Sequence, residues 1–117
     1  MSQSSSNTKT LVLSEKAQIF AALGDETRLK LVTRLADGEA HSITQLAEGF
    51  PLTRQAITKH LRVLEGVGLV HSVKTGRESQ FQLDPKPMDD LKVYIAEVSK
   101  RWDDHLDRLK NFLESSD

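Results

Sequence analysis

Pro51-Leu-Thr-Arg-Gln-Ala-Ile-Thr-Lys-His-Leu-Arg-Val-Leu-Glu-Gly66 is the stretch whose reading decides the fold. At about 100° per residue, Ala56, Ile57, His60, Leu61, Val63 and Leu64 share one arc of a helix, and Arg54, Gln55, Thr58, Lys59 and Arg62 share the other. Thr53 is the expected N-cap, since its hydroxyl can accept from an amide of the first turn, and Gly66 is the expected stop. The outer arc holds three cations, an amide and a hydroxyl, and no carboxylate. That set suits phosphates and the base edges of a major groove, which admits one helix. A solvated amphipathic helix can share the pattern, so the flanking segments decide.

Upstream, Ser42-Ile-Thr-Gln45 has the spacing of a capping box. It predicts a short helix over 43–48 with Ile43, Leu46 and Ala47 inward, and Gly49-Phe-Pro-Leu then interrupts. Two helices joined by a brief Gly-containing turn form a helix-turn-helix, with helix 53–66 as its recognition helix. Downstream, helical period gives way to alternation on either side of Thr75-Gly76, which predicts a hairpin over 70–83. A Thr75-Gly76 loop would set Lys74 opposite Arg77, Ser72 opposite Ser79 and Val70 opposite Phe81, with Val70, Phe81 and Leu83 on one face. A hairpin with Lys74 and Arg77 at its tip, placed directly after a recognition helix, reads as a wing.

The remaining segments frame this unit. Residues 1–13 read as a mobile tail, Ser- and Thr-rich up to Thr10. A helix entered at Ser14 and ended by Gly24 would turn Ala17, Ile19, Phe20 and Leu23 mostly to one side. Asp25 caps a second helix, 26–37, with Leu29, Leu31, Val32, Leu35 and Ala36 inward and Gly38 just beyond. Glu39–Ser42 has length for one extended pairing. Asp84-Pro-Lys-Pro is expected to break regular structure before a long helix over 88–113, with a tail at 114–117. Leu91, Ile95, Val98, Trp102, Leu106, Leu109 and Leu113 recur along that helix every three or four residues, flanked by Tyr94, His105 and Phe112. It would span about 39 Å, more than a small domain can cover. Each large apolar side chain gains roughly 1.5–3 kcal/mol on burial. Pairing with the same helix of a second chain, helped by Ile19 of the first helix, is therefore expected over folding back on its own domain.

The 117 residues suit one domain over 14–113, mainly α: a winged helix-turn-helix of about five helices, a two-stranded wing and a long C-terminal dimerisation helix. With 38% hydrophobic and 28% charged residues and no membrane-length apolar run, an ordinary soluble chain is expected, without signal peptide or membrane partner and placed in the cytoplasm. The absence of cysteine excludes disulfides and thiolate ligands. The net charge of −1 conceals a partition. Residues 51–83 hold five Lys/Arg against two Asp/Glu, whereas 1–50 hold five against six and 84–117 six against nine. The electropositive third is the one with the recognition helix and wing, and only the local field acts within a Debye length of about 8 Å.

Ala22-Leu-Gly-Asp-Glu-Thr-Arg-Leu-Lys-Leu31, Ile43-Thr-Gln-Leu-Ala47, the run from Gln55 to Val70 and Gly76-Arg-Glu78 together resemble the ArsR-type winged-helix repressors over nearly the whole chain. The resemblance implies a homodimeric repressor on two-fold symmetric double-stranded DNA, with first and last helices at the dimer interface and an effector that releases it. The effector is not named by any motif. Arg54, Gln55, Thr58, Lys59, Arg62, Lys74 and Arg77 are the candidate DNA contacts. Ile19, Leu91, Ile95, Val98, Trp102, His105, Leu106, Leu109 and Leu113 are the candidate dimer contacts. Metal-sensing relatives use a Cys-x-Cys pair in the third helix, or Asp-x-His with a later His/Glu pair in the last. Here Cys is absent, and Asp103-Asp-His105 meets Ser116 where the later His would stand. The chain thus resembles a branch without metal sensing, and no metal or cofactor is expected. His60 reads as a packed, hydrogen-bonded core residue. Two rival classes differ in what they require. An enzyme would call for a phosphate loop or nucleophile motif, and neither is found. A protein-binding winged helix would call for a more apolar or mixed-charge outer face.

Overall fold

The computed structural model describes residues 10–115, so residues 1–9 of the tail expected over 1–13, and the last two residues, lie outside the described residues. Within that range are five helices and three strands: α1 Leu13–Leu23, α2 Glu26–Leu35, β1 His41–Ser42, α3 Ile43–Ala47, α4 Arg54–Gly66, β2 Val70–Thr75, β3 Glu78–Leu83 and α5 Pro85–Glu114. This is the winged helix-turn-helix expected from the sequence. Leu31, Leu35, Leu46, Ile57, Leu61, Leu64, Leu69 and Phe81 are fully enclosed, so α2, α3, α4 and the sheet share one core.

Local chemistry places the helix starts. The Thr53 hydroxyl accepts from Ala56 N at 3.0 Å, and the Asp25 carboxylate accepts from Arg28 N at 3.0 Å. Ser42 Oγ accepts from Gln45 N at 3.1 Å while Gln45 Oε1 accepts from Ser42 N at 2.9 Å, closing both halves of the capping box. The end of α4 departs from expectation. Gly66 remains helical, and Gly68, at φ +83°, takes the left-handed position. Gly68 N donates to Glu65 O and Leu69 N to Leu64 O, each at 3.0 Å, which is a Schellman ending with Leu64 and Leu69 packed across it.

The prolines after Asp84 do not interrupt the last helix. Pro85 opens α5 and Pro87 lies in its first turn, where amides lack helical partners in any case, and Asp84 caps it by accepting from Lys86 N at 3.0 Å. The helix therefore starts three residues earlier than expected and runs 30 residues, about 45 Å. The N-terminal boundary also shifts. Leu11 packs against the core, and its amide donates to Asp90 on α5 at 3.3 Å.

The sheet has three strands in the order β1-β3-β2, since His41 and Ser42 pair with Phe81 and Gln80. The wing register is displaced from the expected one. Thr75 faces Glu78, Lys74 faces Ser79 and Val70 faces Leu83, so the loop is Gly76-Arg77. Gly76 has φ +62°, and no described non-glycine residue has positive φ. A two-residue loop with positive φ only at its first position is the type II′ arrangement, and it puts glycine first. The displacement is two residues along the pairing, an even number, so Val70 and Phe81 still point into the core.

Some inward assignments also change. Leu29 and Val63, expected inside, are 50% and 41% exposed, and Ala17 is exposed on α1. Ile19 and Leu91, expected at a dimer interface, are enclosed within the protomer's own core. Both lie where α1 and the first turns of α5 cross the domain, and a side chain already enclosed there has no surface left for a second chain.

Candidate nucleic-acid interface

The turn between α3 and α4 is fixed from below by α2. Arg34 Nη1 donates to the carbonyls of Leu46 (2.8 Å) and Glu48, and its guanidinium lies 4.6 Å from the centre of the Phe50 ring. The carbonyls at the end of α3, which have no helical partner, are thereby satisfied. The exit angle into α4 follows.

On α4, Arg54, Gln55 and Lys59 are exposed, and their side chains make no hydrogen bond or ion pair with any described residue. The same holds for Lys74 and Arg77 on the wing. Ile57, Leu61 and Leu64 on the opposite side are fully enclosed. The helix thus presents a cationic, amide-bearing edge while its apolar edge is fixed in the core. Two further candidates are engaged. Thr58 Oγ1 donates to Arg54 O at 2.8 Å, so its donor is used inside the helix. Arg62 Nη1 donates to Glu65 Oε1 at 2.7 Å and to Ser72 Oγ at 3.2 Å, and Ser72 Oγ donates to Glu65 Oε2 at 2.7 Å. The hydrogen bond from Arg62, then that from Ser72, holds the Glu65 carboxyl below its ordinary range. Arg62 thereby braces α4 against β2, and Glu65 compensates its charge. The i, i+3 spacing of Arg62 and Glu65 was the signal for this pair in the sequence.

His60 is hydrogen-bonded, though not to the core interior. Its Nδ1 lies 3.1 Å from Arg28 Nη1 and 3.8 Å from Asp25 Oδ2 at the start of α2, with about a quarter of the side chain exposed.

Along α5 the stripe divides. Leu91 is enclosed, while Ile95, Val98, Trp102, Leu106, Leu109 and Leu113 are between 43% and 61% exposed. His105 is exposed as well and stacks on Trp102, ring centres 5.6 Å apart. Phe20 of α1 meets Tyr94 at 6.1 Å, and an apolar cavity of about 490 Å³ lies beside it among Leu23, Met88, Leu91 and Ile95. No group of three or more potential metal ligands occurs among the described residues, and no described helix is long and apolar enough to cross a membrane.

A helix-turn-helix with an exposed cationic recognition helix and an adjoining hairpin defines a winged-helix DNA-binding protein. Residues 23–73 match the model of a helix-turn-helix domain family. The HTH-type transcriptional regulator Rv2034 of Mycobacterium tuberculosis is 36% identical over 74 residues, 63% of this chain and 68% of that protein. The arsenical resistance operon repressor of Bacillus subtilis is 27% identical over 84 residues, covering 72% of this chain and 80% of the repressor. Among solved structures, an ArsR-like transcriptional regulator from Rhodococcus sp. RHA1 superposes with a TM-score of 0.71 at 38% identity, over 87% of this chain and 95% of that one. The chain belongs to the ArsR-type winged-helix transcriptional regulators.

Proposed function

We propose that the protein is a homodimeric repressor that reads a two-fold symmetric operator in double-stranded DNA. The observation that carries this is the unengaged pair Arg54 and Gln55 in the first turn of α4, the end that enters the groove in helix-turn-helix docking. Arg matches guanine and Gln matches adenine through two parallel hydrogen bonds, so these residues read sequence. Lys59, Lys74 and Arg77 neutralise phosphates, and Thr58 offers its methyl to thymine. Arg62, compensated by Glu65, contributes less charge to DNA than its place on the outer arc suggests. The exposed half of the α5 stripe, Ile95 to Leu113 with Trp102 and His105, supplies the dimer contact, and Phe20 replaces Ile19 as the contribution of α1. The repressor assignment is supported by the name of the Bacillus subtilis relative. This function has no catalytic step, calls for no cofactor, and is exercised in the cytoplasm. An outer arc without apolar side chains at its leading end disfavours a protein-binding module.

The test is binding to duplex DNA from upstream of the protein's own gene and to a scrambled duplex, at two salt concentrations. Tighter binding to the first, with both weakened by salt, is expected. Equal affinity for the two duplexes overturns operator recognition.

A further inference from the structure

Arg28 links two helices that lie far apart in sequence. Its Nε donates to the carbonyl of Ala22, in the last turn of α1, and its Nη1 lies 3.1 Å from His60 Nδ1, in the middle of α4. Its own backbone amide is fixed by the Asp25 cap. Arginine can only donate, so Nδ1 of His60 carries the lone pair and accepts. The Asp25 carboxylate, 3.8 Å from the same nitrogen, is beyond hydrogen-bond range. One rigid, planar guanidinium therefore spans a free carbonyl at the end of α1 and an acceptor on the recognition helix.

Arg54 is six residues from His60 on α4, about 9 Å along the axis. A pivot of about 10° at His60 would shift the Arg54 end by roughly 1.5 Å relative to the dimer frame. A protomer on a single half-site re-docks to absorb that shift, whereas two linked protomers cannot do so at both half-sites together. We propose that Arg28, through His60, is a positioning residue that sets the angle of the recognition helix relative to the dimer frame, and thereby the match between two half-sites. This rests on the homodimeric reading above, since α1 packs against α5 through Phe20 and Tyr94. Arg28 touches no DNA in this arrangement. It acts on the relative placement of two recognition helices and leaves each one's own contacts intact.

The experiment compares the upstream duplex with the same duplex carrying one scrambled half-site, for wild type, Arg28→Ala, His60→Leu and His60→Asn, with sedimentation on every protein. Arg28→Ala and His60→Leu should lose about tenfold or more on the intact duplex, the equivalent of one charge-assisted hydrogen bond. On the one-half-site duplex they should stay within about twofold of wild type. His60→Asn, whose Oδ1 can occupy the place of Nδ1, should restore binding to the intact duplex. Should Arg28→Ala fail to fold, Arg28→Lys, which keeps the charge without the fork, takes its place with the same expectation. A dimeric wild type whose Arg28 and His60→Leu variants bind the intact duplex normally, or lose equally on both duplexes, overturns the positioning role. A His60→Asn variant as weak as His60→Leu does the same. A monomeric wild type overturns the dimeric reading and this proposal with it.

Discussion

Arg62 Nη1 lies 2.7 Å from Glu65 Oε1, and its guanidinium carbon stands 5.3 Å from the centre of the Phe81 ring. A cation on the outer arc of the recognition helix is thus tied to a carboxylate, a wing hydroxyl and a core aromatic before any DNA arrives. Because hydrogen bonds from Arg62 and Ser72 depress the Glu65 carboxyl, it remains ionised at all pH values near neutrality.

Glu65→Gln should release that charge. Affinity for operator and scrambled DNA should rise together, and the salt dependence should steepen by about one phosphate contact per protomer. Binding isotherms across a salt series measure this. An unchanged slope would mean that Arg62 does not face the backbone even when freed.

Arg54→Ala and Gln55→Ala should each cost about 1–3 kcal/mol per half-site and relax preference at particular base pairs. Lys59→Ala, Lys74→Ala and Arg77→Ala should weaken operator and scrambled DNA alike, each lowering the salt slope by about one per protomer. Competition between the two duplexes separates the classes. Equal losses on both duplexes for Arg54→Ala and Gln55→Ala would remove them as base readers.

Trp102 and Leu109 are 59% and 48% exposed on the part of α5 that projects beyond the core. Trp102→Asp or Leu109→Asp should convert the dimer to a folded monomer, because a buried unpaired carboxylate is costly at an interface and nearly free on a solvated helix. Sedimentation at micromolar concentration, with circular dichroism to follow the fold, reads the outcome. Dimers in both variants would place the interface elsewhere.

Lys86 Nζ lies 2.9 Å from Asp90 Oδ1, and the Leu11 amide donates to Asp90 Oδ2. The hydrogen bond from Lys86 is the largest cause holding the Asp90 carboxyl below its ordinary value of 3.8, with the Leu11 amide adding to it. A folded value below the unfolded one stabilises the fold above the unfolded value, and that contribution is lost as pH falls through the folded value. Asp90→Asn should therefore lower Tm at neutral pH, with the difference from wild type shrinking below about pH 4. Melting curves from pH 3 to 7 test it, and a gap that is constant with pH would show the clamp to be unimportant.

What the sequence determined by itself was what acts within a few residues. The caps at Asp25, Ser42 and Thr53 engage amides three residues away, and the 3.6-residue period separates Ile57, Leu61 and Leu64 from Arg54, Gln55 and Lys59. Those interactions close inside one turn, so composition and spacing suffice to read them. The prolines after Asp84 were misread as a break, because a first helical turn tolerates what a helix interior rejects. Ile19 and Leu91 have the same apolar character as Ile95 and Leu106, and only the crossing of α1 and α5 over the domain decides which are enclosed. Tertiary structure alone decided the remaining relationships. Phe81 acquired His41 as a strand partner 40 positions away, and Arg28 met His60 across 32. Such contacts depend on how finished helices pack, and no local period or cap encodes that.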